Sequence, residues 1–97
     1  MMPEGTTIAA VVATLDEFPN ESTIYASAPW TKDSVAIVAL EPDEGGLPEA
    51  AAKQKLSYFI EVFLAKEFLA GWVRNSQHDV SDEEMCQRLI HYAINDA

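Results

Sequence analysis

The sequence predicts an α+β domain in the order α-β-β-α-α, and three observations carry that expectation. Thr23–Ser27 and Ser34–Glu41 are short β-branched and apolar runs joined by a loop, which reads as an antiparallel hairpin. Leu56–Trp72 is apolar on every side of a helix at about 100° per residue. Ser81 and Glu84 stand three residues apart, as a capping box that opens a last helix requires. With 97 residues the chain has room for one core, so residues 1–97 are read as a single domain.

Thr6 or Thr7 suits the cap of a first helix, on which Ile8, Val11, Val12, Leu15 and Phe18 form one apolar stripe. Pro19 stops it, and Pro19-Asn20-Glu21-Ser22 is turn chemistry. In the second strand of the hairpin, Val35 to Leu40 is apolar on both pleat faces, which calls for an interior place or cover on both sides. Two strands alone are marginal in water, so a third strand, packed helices or another copy must support them. Glu41 to Pro48 is an acidic turn, and Pro48 suits the first position of a helix. A long central helix is then expected from about Pro48 to Arg74, with Gly71 marking a close approach or an early end. Asn75 to Val80 is a polar connector. Val80 and Met85 are spaced as a hydrophobic staple around the Ser81 cap. The last helix then places Met85, Cys86, Leu89, Ile90 and Ala93 on one side.

Sixteen acids against six Lys and Arg give a formal charge of −10. Such a charge repels phosphate backbones and anionic membranes, and favours solubility or a basic protein partner. Glu61, Lys66 and Glu67 interrupt the longest apolar run, which excludes an ordinary membrane span. The N-terminus lacks a basic segment ahead of its short apolar patch, and the chain has one cysteine, so a cytoplasmic protein is expected.

The strong catalytic motifs are missing: no glycine-rich phosphate loop, no His-Glu-x-x-His, no Cys-x-x-Cys and no nucleophile elbow. No cofactor or metal is implied. His78, Asp79, Asp82 and Glu83 have metal-binding chemistry but neither zinc nor calcium spacing. Cys86 and His91 lie about 140° apart around a helix and cannot form a nucleophile pair there. Glu61 and Glu67 sit among apolar neighbours, with no Lys or Arg one helical turn away. Each is either a carboxylate that meets a partner or reaches the rim, or the anchor of an apolar pocket shared with Tyr58, Trp72 or His91. Trp30, beside Pro29 in the hairpin loop, is either a contact residue or a lid on the core.

The segments Thr23-Ile24-Tyr25-Ala26, Pro29-Trp30, Leu56 to Phe63 and Glu67 to Trp72 resemble a group of small uncharacterised bacterial proteins. That resemblance implies no activity and transfers no functional residue. In size, acidity and lack of catalytic motifs the chain is also similar in type to immunity proteins that neutralise toxins. The leading expectation is a non-enzymatic acidic binding module, an inhibitor or immunity-type protein contacting a basic partner through Trp30, Asp43 and Glu44. The alternative is a small-molecule site or weak enzyme built on Glu61 or Glu67 with Tyr58 and Trp72. Because the hairpin edge and the all-round apolar helix both need cover, a homodimer is expected.

Overall fold

The computed structural model describes residues 6–77 and 79–95. Thr7 caps the first helix as its position suggests, its Oγ1 accepting from the Ala10 N–H at 3.1 Å. Thr6–Thr7 itself is a short strand, β1, followed directly by α1 (Ile8–Ala13). The helix is shorter than its apolar stripe: Leu15–Glu17 is a turn of 3-10 helix, which brings Leu15 into the core ahead of Pro19. The hairpin forms where expected, as β2 (Thr23–Ala26) and β3 (Val35–Ala39), antiparallel with Ile24 opposite Val38 and Ala26 opposite Ala36. In the connecting loop the Ser34 hydroxyl accepts from the Thr31 N–H at 2.8 Å and donates to the Pro29 carbonyl.

The long helix expected from Pro48 to Arg74 does not form. That stretch is α2 (Glu49–Lys53), β4 (Ser57–Glu61) and α3 (Val62–Asn75). Lys55, at φ 59°, turns the chain out of α2 through the left-handed region. The all-round apolar pattern therefore records a change of period, from strand to helix, rather than one helix buried on every side. Read separately, α3 is an ordinary amphipathic helix: Val62, Ala65 and Leu69 are buried while Phe63, Glu67 and Val73 are exposed. The argument for a homodimer from an uncovered helix falls away with that helix. Gly71 marks neither a close approach nor a helix end; α3 continues to Asn75, and a Cβ there would meet only the tip of Arg74.

The sheet consequently has four strands, in the order β1-β3-β2-β4 and antiparallel throughout, rather than the two or three expected. β2 pairs with both β3 and β4 and is buried along its whole length. One face of the sheet, carrying Ile24, Ala26, Ala36 and Ile60, packs against α1, α3 and the last helix, α4 (Asp82–Asn95). The other face carries Tyr25, Ile37 and Ala39, and is covered by Ala51 of α2 together with Leu56. α4 starts on the expected capping box. The Glu84 N–H donates to Ser81 Oγ at 3.1 Å, and the Ser81 N–H donates to Glu84 Oε1 at 3.2 Å. At 14 residues α4 equals α3 in length, and Tyr92 stacks on Phe68 with ring centres 4.2 Å apart. No helix among the described residues is long and apolar enough to cross a membrane.

Candidate functional site

β4 carries a bulge. Tyr58 lies opposite Tyr25 and Ile60 opposite Ile24, which leaves Phe59 as an extra residue between two paired positions. Without it, side chains three apart on a strand point to opposite faces. With it, Tyr58 and Glu61 share the outer face, because Glu61 lies opposite Thr23, two residues before Tyr25. Phe59 turns inward and is 1 % exposed, meeting the edge of the Trp30 ring with centres 4.9 Å apart.

Tyr58 is 44 % exposed, and its hydroxyl donates to Glu61 Oε2 at 3.4 Å. Glu61 also occupies the N-cap of α3, where the helix dipole favours a carboxylate, although its side chain makes no capping bond. Burial raises the Tyr58 phenol above its ordinary value, and the Glu61 and Glu41 carboxylates raise it further. Tyr25, beside it, is fully buried with no hydrogen-bond partner for its hydroxyl among the described residues. Burial likewise raises the Tyr25 phenol, the Thr23 side chain acts against that rise, and Glu41 adds to it. The outer face near β4 is thus a pair of phenols under two acidic fields.

The other residues singled out from the sequence lie elsewhere. Trp30 is half-buried over Phe59, its indole N–H donating to the Ala26 carbonyl at 3.3 Å, the placement of a lid on the core. Asp43 and Glu44 are exposed in a turn closed by the Gly45 N–H on the Pro42 carbonyl. Gly45 and Gly46 supply its positive φ angles of 81° and 80°. Glu67 is exposed on α3, away from Tyr58 and Glu61 in sequence and on a different element. Trp72 lines a cleft of 280 Å³ between α3 and α4, with Glu84, Arg88 and His91. Neither Glu61 nor Glu67 lines that cleft. Neither lines the larger groove of 670 Å³, whose floor includes Leu15, Leu69 and Met85. The carboxylate pocket imagined from the sequence is therefore not assembled: Tyr58 and Glu61 meet, while Glu67 and Trp72 stand apart.

At the edge of the larger groove Lys66 holds the chain after the 3-10 turn, donating to the Phe18 carbonyl and to Asn20 Oδ1, each at 2.8 Å. Sequence reasoning did not find this tie, and its signal is only a lysine on a largely apolar helix. Cys86 is buried, which pushes its thiol up and leaves little thiolate near neutrality. His78, a member of the cluster weighed for metal binding, lies outside the described residues. Among those described, no three His, Cys, Asp or Glu side chains are grouped to hold a metal ion. No family model, curated protein or solved structure matches this chain, so the site rests on its own geometry.

Proposed function

We propose that this protein is a non-enzymatic acidic binding module whose partner is a basic protein. The observation that carries the reading is the placement of charge: every described Asp and Glu side chain is exposed, on a chain of formal charge −10. Carboxylates left at the surface in this excess raise the encounter rate with a positively charged partner and repel an anionic one. An inhibitor or immunity-type role is consistent with that electrostatic character, and a bacterial cytoplasmic setting with the single buried thiol. The experiment is capture from the native host at low salt, with the bound protein identified and its release followed as salt rises. A basic partner, released as screening shortens toward about 8 Å near 0.15 M, supports the reading. Recovery of only neutral or acidic partners, or release indifferent to salt, overturns it.

A further inference from the structure

We propose that the open edge of β4 receives an extended basic segment of the partner by strand addition, with one of its Lys or Arg side chains seated against Tyr58 and Glu61. The inference rests on the basic-partner reading above and assigns it a place. Among the described residues, β4 ends the sheet and is hydrogen-bonded on one side only, to β2. Its sequence, Ser57-Tyr58-Phe59-Ile60-Glu61, lacks the proline and lysine that commonly blunt a sheet edge, although the bulge at Phe59 is another such device. Strand addition supplies main-chain hydrogen bonds, and alternate side chains of the added strand then supply selectivity.

The outer face beside this edge is chemically suited to a cation. Tyr58 offers an exposed ring, and Glu61 an exposed carboxylate held to its hydroxyl. A guanidinium stacks on a phenol ring and accepts a carboxylate partner at once. Charge also selects the occupant. A second copy would bring another −10 to the same edge, whereas a basic segment neutralises it.

The test is an NMR titration of the whole chain at low salt with a short synthetic peptide of alternating Arg and Val. A matched Glu–Val peptide serves as control. Shifts concentrated on Ser57–Glu61 and Tyr25, with slowed amide exchange along β4, are expected for the Arg–Val peptide alone. Glu61→Lys should weaken binding about tenfold, and Tyr58→Ala should weaken it by a smaller factor. Glu83→Lys, the same charge change on exposed α4, should alter it less than about twofold. Shifts spread over the acids of α4, or equal losses for the two charge reversals, overturn the edge assignment and leave a diffuse basic-partner reading standing. Absence of peptide binding overturns the edge assignment too, while the wider reading is decided separately by salt-sensitive capture. Broadening of β4 signals with protein concentration alone would give the edge to a second copy and overturn the proposal.

Discussion

The two faces of the sheet are built from the same strands, with residues alternating everywhere but at the bulge, yet they are buried by very different means. The inner face meets three helices, and its residues Ile24, Ala26, Ala36 and Ile60 are each 0 % exposed. The outer face meets a five-residue helix and Leu56, leaving Val35 and Tyr58 exposed at 40 % and 44 %. Both faces are largely apolar in sequence. What separates them is the cover available, so strand composition alone does not tell a core face from a partly open one. The inner face holds the fold, and the outer face has surface left for a partner.

That contrast is sharpest in substitutions. Phe59→Ala, which removes a fully buried ring and the T-shaped partner of Trp30, should cost about 4 kcal/mol by denaturant unfolding. Leu56→Ala, in the thinner outer cluster, should cost about 2 kcal/mol, because neighbouring side chains there can collapse toward the gap. Equal costs would mean that the outer face is a second full core, and would break the comparison.

Tyr25→Phe tests the outer face differently, by deleting a buried hydroxyl that has no partner among the described residues. A gain of about 1 kcal/mol at neutral pH is expected. The variant should also change the alkaline limb. Because the folded phenol is raised above its ordinary value of 10.0, its contribution is present below that pH and lost as pH rises through the folded value. The wild type should therefore lose stability above pH 10 more steeply than Tyr25→Phe, in which Tyr58 leaves a residual slope of its own. A loss of stability at neutral pH would show that the hydroxyl is satisfied in solution. The smallest effect belongs to Lys55→Gly, which relieves a left-handed residue at the entry to β4 and should gain about 0.5 kcal/mol in thermal unfolding.

Much of the fold is legible where a local chemical signal is unambiguous. Ser81 with Glu84, Thr7 before its helix and the existence of the β2–β3 hairpin, though not its register, follow from short-range patterns. The segment after Pro48 was not legible, because its boundary residue, Lys55, adopts a conformation usually marked by glycine. Tyr58, Phe59 and Ile60 carried the warning: consecutive aromatic and β-branched residues favour a strand even inside an apolar run of helical length. The site was legible in part for a related reason. Tyr58 and Glu61 are neighbours on a helix and are neighbours here, but a bulge, which has no sequence signature in this chain, brings them together.

That extra residue acts on β4 as a frameshift acts on a message. Upstream and downstream of Phe59 the side chains are read in opposite phase, so one insertion decides which residues the core receives and which the surface keeps. A further single-residue insertion in β4 would restore the original phase and send either Tyr58 or Glu61 into the interior. The aromatic that fills the core and the polar pair that faces outward are thereby inherited together, and neither can be rewritten in length without rewriting the other.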